Sequence, residues 1–534
     1  MDIPMNLFYW ILGTVPIILL IIFMVILQWS AIKAAPITLV VTIGLGMTIF
    51  QGSFSVISVE LLRALWGSLS IILVIFSAIV LYEVSYEVNA FKTLNQLFKT
   101  IAPNELIRIL LIGVVFASFL QGVTGFGVPV LVTAPLLIQI GVKPMWAVIV
   151  PLLGHSWAGT FGTLALAWDA LMEQVMIESV SLMNSVAFFA TAFLAILTLV
   201  ANFSITYLYG RGEAIKKGFV AVLIITAIQG GGQLLIAQFN PELASFLPSA
   251  LALIVLILLS RSSLYNEEWA VQESRIMDAK DYELEDEKEH LEMSPFQALI
   301  PYILMTLITL TVLLTTPLNN LLNQVSYGPN FPETVTGFGV VNEAVQNYSP
   351  FQPLTHASTF LFLAAFLSYL YYKQAGFVKN QHPIKNIFKR TLKRAISPSI
   401  AVLSLLAISR VMTGTGQIMV LAEGITAVLG SYYTLFSPFI GLLGSFITGN
   451  NMSSNILFGN FQYLTADFIG LNIPAVLGAQ TAGGAIGMAL APGNIVLGTS
   501  AVNTPGLEGK VMMRIIPFTL FVAAIIGIGL LFIY

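Results

Sequence analysis

The 534-residue chain contains no cysteine, which excludes disulfides, thiolate nucleophiles and cysteine-ligated metals. Charge is the next scarcity. Only 9% of residues are charged, against roughly a quarter in a soluble domain, too few to solvate a protein of this size. The 23 basic and 26 acidic residues nearly cancel, and a net charge of −3 argues against nucleic acid as a partner. Met1–Trp10 lacks the basic cluster of a cleavable signal peptide, so the apolar run that follows is read as a retained span. Neither HExxH nor GxSxG occurs, and carboxylates inside apolar runs are sparse. A membrane-embedded hydrolase would lack both its metal ligands and its acid/base pair, so no enzyme and no cofactor or metal is expected.

What the chain has in abundance is apolar surface: 57% hydrophobic residues and a mean hydropathy of +0.89. Runs such as Ile11–Leu27 and Ile71–Leu81 are continuous rather than alternating, which excludes a β-barrel. In hydrocarbon only a helix satisfies every backbone group within one run. The fold class expected is therefore an all-α polytopic membrane protein in contact with a lipid bilayer. Spans of about 20 residues are predicted near 6–28, 33–50, 64–84, 180–206, 217–238, 243–260, 297–316, 356–373 and 513–533.

Basic residues orient the chain. The segment from Lys373 to Arg394 holds Lys379, Lys385, Lys389, Arg390, Lys393 and Arg394 with no acid, and is assigned to the cytoplasm. Counting from it places Lys33, Lys92, Lys99, Arg211, Lys216 and Lys217 inside as well, and both termini outside. Six regions follow: N-terminal scaffold spans (1–104), a first broken-helix repeat (105–206), connecting spans (207–260), an acidic cytoplasmic loop (261–296), connecting spans with an external and a basic loop (297–396), and a second broken-helix repeat (397–534). The acidic loop, with Glu283, Glu285, Asp286, Glu287 and Glu289, reads as a solvated linker. The external stretch 319–352 reads as a cap over the outer mouth.

The two interrupted regions share a layout. Leu106–Leu120 runs into Gln121–Val130, and a second interruption follows at Gly154–Thr163. Leu435–Phe446 runs into Thr448–Asn455, with further interruptions at Gln480–Gly484 and Ala491–Asn494. By the loop count the first region is entered from inside and the second from outside. Paired interruptions of opposite topology point to two inverted repeats around a secondary transporter's midplane site. Helix packing through small residues is the alternative, and it explains isolated glycines. It does not explain Asn450, Asn451, Ser453, Ser454 and Asn455 together, because so many polar groups in hydrocarbon need partners. The repeat of VTGFGV, at 123–128 and again at 335–340, is either coincidence or a gate at the mouth.

A broken helix presents free N–H groups and a positive dipole end. Thr124, Gly125 and Gly127 stand where a half-helix begins, Pro129 suits its first turn, and Thr448–Ser454 mirror them. Such N-termini suit a small anion such as a carboxylate. Arg410, midway through its apolar stretch, is a candidate carboxylate clamp or the balance of a buried acid. His155, beside Ser156 and Thr160, is a candidate substrate or proton residue, and Gln480 is a further candidate substrate contact. Asp169 and Glu423 are candidate proton acceptors that would lie towards the external surface.

At these residues the sequence resembles the lactate permease family of bacterial membrane carriers. The resemblance rests on GVTGFGVPV (122–130), GHSWAGTFGTL (154–164), SRVMTGTGQ (409–417), GSFITGNNMSSNILFGNFQ (444–462) and QTAGGAIGMALAPGNI (480–495). It spans the whole chain. It implies movement of L-lactate, D-lactate and glycolate coupled to protons, and kinship with the ion-transporter superfamily, where a moving domain carries re-entrant hairpins past a scaffold. Val123 and Val128 replace smaller family residues, and Asn494 stands where glutamine is common. A sodium-coupled carrier of another small carboxylate and a passive anion channel are the competing readings.

Overall fold

The computed structural model describes residues 3–27, 29–94, 102–125, 127–177, 179–271, 273–278, 293–504 and 506–533. Lys99 and the acidic run Glu283–Glu289 lie outside the described residues. Within them, the apolar runs form helices because each residue's N–H finds a carbonyl in its own segment. Ten helices are long and apolar enough to cross a membrane, including Leu7–Met24, Ala31–Thr48, Phe54–Glu87, Pro383–Gly414 and Glu508–Leu530. An eleventh results if Ile300–Val312 and Thr316–Leu322, bent by 89°, count as one span. The predicted spans 180–206 and 217–238 are one helical run, Val180–Ile236, broken at Gly210 and Arg211, where Arg211 adopts a φ of 52°.

A frame forms where Phe54–Glu87 packs against Pro383–Gly414, flanked by Ala31–Thr48 and Ala357–Gln374. Its basic end is fixed by charge. Glu83, fully buried, accepts from Arg390 Nε at 2.5 Å and forms an ion pair with Arg394, whose Nε lies 3.0 Å from Glu83 Oε1, and Glu87 accepts from Arg390 as well. The two guanidinium groups lie over Tyr86 (5.4 Å) and Tyr82 (4.9 Å). At the far end Arg63 Nη1 donates to Glu60 Oε1 at 2.9 Å, and Arg63 Nη2 donates to Glu343 O in the loop above. That loop carries a two-stranded hairpin, Thr334–Val335 with Val341–Asn342. Its turn is the second VTGFGV copy. Gly337 N donates to Gln51 O at 2.8 Å, and Phe338 and Val340 pack with Tyr9 and Phe50. The turn therefore docks where Ala31–Thr48 meets Phe54–Glu87, beside the first helix.

Two helical hairpins stand beside this frame, the first packed against Phe246–Ser260 and the second against Pro383–Gly414. Glu105–Val123 and Val128–Gln139 form the first. Both of its ends meet the 262–278 segment: Glu105 N donates to Trp269 O, and Lys143 N to Ile276 O. Tyr433–Thr448 and Asn451–Ile469 form the second, held along its length by Gln462 Nε2 to Ser437 O (2.9 Å) and Ser454 Oγ to Gly441 O (2.8 Å).

One predicted interruption is absent. Gln480–Gly484 lies inside the unbroken helix Ile473–Leu490. Its glycines serve close approach, since a Cβ on Gly483 would sit 2.0 Å from Pro438 O and one on Gly484 1.9 Å from Asn451 Oδ1. The helix breaks only at Ala491, with ψ of 126°, before Pro492 opens a new one.

Removing Glu83 leaves Arg394 without its carboxylate and Arg390 with Glu87 alone. Because the arginines are partly exposed, we expect Glu83→Ala to cost about 2–3 kcal/mol, below the loss for a fully buried pair. A lowered unfolding temperature of the detergent-solubilised protein checks this, and an unchanged one removes the charge clamp from the account of the frame.

Candidate functional site

The break in the first hairpin is built by backbone conformation. Thr124 ends one half-helix, Gly125 and Gly127 follow with φ of 57° and 79°, and Pro129 sits in the first turn of the next. Thr124 Oγ1 bonds back to Leu120 O at 2.8 Å. Gly125 lies against the second interruption, where a Cβ would meet Thr163 Oγ1 at 2.2 Å. That second interruption is a 3-10 turn, Ser156–Gly159, followed by three non-glycine residues, Thr163, Leu164 and Ala165, with φ of 53°, 52° and 65°. Left-handed geometry costs such residues roughly 1–2 kcal/mol each, so the surrounding packing must hold them there.

The second hairpin turns at Gly449, φ 93°, and Asn450 caps the new helix by accepting from Ser453 N at 2.8 Å. The first-turn N–H groups of Asn451 and Met452 have no carbonyl four residues back. A Cβ on Gly449 would meet nothing within 4 Å, so the tip faces open space. Asn494 links the two hairpin tips. Its Nδ2 donates to Met488 O (2.9 Å) and Gly449 O (3.3 Å), and its Oδ1 stands 3.6 Å from where a Gly127 Cβ would be.

Between the tips lies a polar network drawn from both halves of the chain. Asn451 Nδ2 donates to Thr481 O (2.9 Å), Thr160 Oγ1 (3.1 Å) and Thr481 Oγ1 (3.2 Å). Asn455 Nδ2 donates to Ala167 O (2.8 Å) and Thr481 Oγ1 (2.9 Å). Gln480 Nε2 reaches Ser454 Oγ at 3.2 Å, and Gln480 Oε1 accepts from Gln462 Nε2 at 2.9 Å. All of these side chains are buried. Asn451 and Asn455 each donate to a main-chain carbonyl, which fixes their amide orientation and leaves Asn451 Oδ1 and Asn455 Oδ1 buried without a partner; Ser445 Oγ is also unpartnered. Unpaired acceptors of this kind call for a hydroxyl, another donor or a cation.

The structure brings Thr124, Gly125, Gly127, Thr448, Asn450, Asn451, Ser453, Ser454, Asn455 and Gln480 to these tips and this network. His155 is buried nearby, and its Nδ1 bonds to Pro151 O at 2.5 Å in its own helix. Arg410 stands elsewhere. It is four residues from the end of the 32-residue helix Pro383–Gly414, because the apolar stretch it lies midway through is divided at Thr415 and Gly416 into that helix and Gln417–Leu429. Its Nη2 donates to Glu173 O at 3.1 Å and its guanidinium lies 5.4 Å from the Tyr348 ring centroid. Glu173 is six residues beyond Ala167, about 9 Å along the helix. Burial pushes the Tyr348 phenol up to about 12 against the opposing charge of Arg410, so the hydroxyl keeps its proton. Asp169 is exposed, within electrostatic reach of Glu173 and Glu242. Glu423 is exposed beside Asn6 and Trp10, away from the network. Sequence reasoning missed Thr481 and Gln462 as network members, the bridging role of Asn494, and the Glu60, Arg63 and Glu173 charges around Tyr348. Their polarity inside apolar stretches was the available signal.

Thr481→Val keeps the shape and removes the shared acceptor. We expect a loss of about 1–3 kcal/mol from under-satisfied amides together with loss of transport. Wild-type unfolding temperature and wild-type uptake would remove Thr481 from the network's function.

The family model described as L-lactate permease matches residues 10–534. An L-lactate permease of Halalkalibacterium halodurans is 26% identical, covering 93% of this chain and 91% of that one. One of Escherichia coli is also 26% identical, over 87% and 84%. The glycolate permease GlcA of Escherichia coli is 24% identical, over 97% and 94%. Among solved structures, the Alcanivorax borkumensis YdaH transporter is similar at 12% identity with a TM-score of 0.41, covering 86% of this chain and 84% of that one.

Proposed function

The chain belongs to the L-lactate permease family, and we propose that it carries L-lactate and related 2-hydroxymonocarboxylates, D-lactate and glycolate among them, across the bacterial cell membrane with protons. It is a multi-pass membrane protein and a permease rather than an enzyme. Relatives named for L-lactate and for glycolate support a substrate class whose shared feature is a hydroxyl beside a carboxylate.

The observation that carries the reading is the pair of unpartnered oxygens, Asn451 Oδ1 and Asn455 Oδ1, behind the hairpin tip. A carboxylate alone would be repelled by them. A 2-hydroxy acid answers both demands of the site. Its carboxylate suits the helix N-termini after Gly127 and Asn450, where backbone N–H groups and dipoles favour an anion. Its hydroxyl supplies the donor that the amide oxygens lack. Thr124, Gly125, Thr448, Ser453, Ser454 and Gln480 shape the remainder. Arg410, on the far side of Glu173, draws the anion towards the site.

We take the two hairpins as inverted repeats that rock against the frame of Phe54–Glu87 and Pro383–Gly414, giving alternating access. His155 and Asp169 are the proton-coupling residues of this proposal, and Glu423, facing away, has no part in it. The basic ends of the frame helices support a cytoplasmic placement that leaves both termini outside.

A second reading rests on the same orphaned oxygens. Amide and hydroxyl oxygens also suit a hard cation such as sodium. Proteoliposomes loaded with buffer and given labelled L-lactate under an imposed pH gradient separate the two. Saturable accumulation driven by external acid without sodium is expected. Accumulation only with sodium overturns the proton assignment, and unsaturable equilibration overturns the carrier in favour of a channel. In the same assay Arg410→Ala should raise KM about ten-fold, the worth of one charge-assisted hydrogen bond. Unchanged uptake kinetics would remove Arg410 from the anion's route.

A further inference from the structure

Three helices diverge on the membrane-facing side to leave a groove of about 760 Å³. Pro144–Gly154 forms one wall, Val180–Thr226 the second and Glu508–Leu530 the third. Its body is apolar, lined by residues such as Leu153, Phe203 and Phe518, and its volume is in the range that encloses a ligand of substantial size. Polarity is confined to one end. Arg514 stands there, exposed, about two turns into its helix, with Tyr207 three residues before the Gly210 break. Among the described residues the Arg514 guanidinium makes no salt bridge. Glu508, the nearest acid on its own helix, is taken up by Thr499 Oγ1 (2.7 Å) and Gly506 N (2.8 Å).

We propose that this groove is a binding site for an anionic phospholipid, its acyl chain along the apolar walls and its phosphate on Arg514. An unpaired cation at the mouth of an apolar groove between helices is complementary to an amphiphile with an anionic head. Lys216 and Lys217, just past the break, and Lys510, one turn before Arg514, extend the same charge. These residues lie at the end that the distribution of basic residues assigns to the cytoplasm, where anionic headgroups gather. A small hydrophilic carboxylate would gain nothing from the apolar walls. A second copy of the chain would have to insert a ridge into a concave surface. The groove bears on transport because Pro144–Gly154 leads directly into the interruption at His155.

The test uses the full-length protein in nanodiscs holding equal phosphatidylglycerol and phosphatidylethanolamine, released and read by native mass spectrometry. Retention of phosphatidylglycerol over phosphatidylethanolamine is expected. Arg514→Gln should cut that preference about five-fold, the effect of one basic residue near an anionic surface. Ser204→Trp, which fills the groove, should remove the bound lipid whatever its headgroup. Equal retention of the two lipids, or a preference untouched by Arg514→Gln, overturns the proposal, as does a dimer that replaces lipid. Should either variant misfold, the wild-type protein still decides. Phosphatidylglycerol with brominated chains should quench the fluorescence component lost in Trp146→Phe more strongly than the brominated phosphatidylethanolamine does. Equal quenching by both sinks the site.

Discussion

Hydrocarbon offers no hydrogen-bond partner, and everything distinctive about this protein follows from satisfying polar groups without water. Its long helices meet that constraint trivially, residue by residue. The breaks cannot. At 124–127, 155–165 and 449–450 the backbone leaves the helix inside the protein, and each departure must be matched by side chains from elsewhere. Asn451 is the centre of that compensation. Its amide nitrogen reaches Thr160 in one half of the chain and Thr481 in the other, residues 321 positions apart. The hairpin tips stay broken and ordered because this network holds them.

The constraint also bears on the selectivity proposed for the site. A fully satisfied network would be inert. This one is short of donors at two amide oxygens and at Ser445 Oγ. In the proposed carrier a bound solute would make the deficit good, and binding free energy and the stability of the tip would be linked. Three consecutive left-handed residues at Thr163–Ala165 place further local strain beside Gly125, at the point where a moving element would need to pivot.

How much of this was legible in the sequence depends on the kind of signal. Helix punctuation was legible: glycines with an N-terminal proline at 125–129, and Gly449 followed by a capping asparagine, name their own conformations. Of the frame, Phe54–Glu87 was legible from its apolar run, whereas Pro383–Gly414 was divided between the basic loop and the second broken-helix region. Gln480–Gly484 was misread because glycine signals a break and a close packing contact equally well, and only the neighbour, Pro438, tells them apart. Arg410 does lie midway through its apolar stretch, but that stretch is two helices divided at Thr415 and Gly416, so the residue stands near a helix end. Thr481 was invisible for a different reason. A threonine in a helix usually bonds its own carbonyl four residues back, and nothing local distinguishes one that serves a partner hundreds of residues away.

Asn494 draws these strands together. It sits one turn past the only true interruption of the Ile473–Ala501 stretch, and that interruption frees it to turn its amide onto Met488 and Gly449. Its oxygen faces the Gly127 position of the other hairpin. A longer glutamine there would reach further across, so the shorter side chain sets the spacing of the two tips by one methylene. In the proposed site, a change in the spacing of the tips is a change in the size of solute that both can touch. Glycolate and lactate differ by one methyl group, a difference of the same order. Asn494 thus stands where the proposed site would read such a difference, and it does so without a hydrogen bond to the network around Asn451.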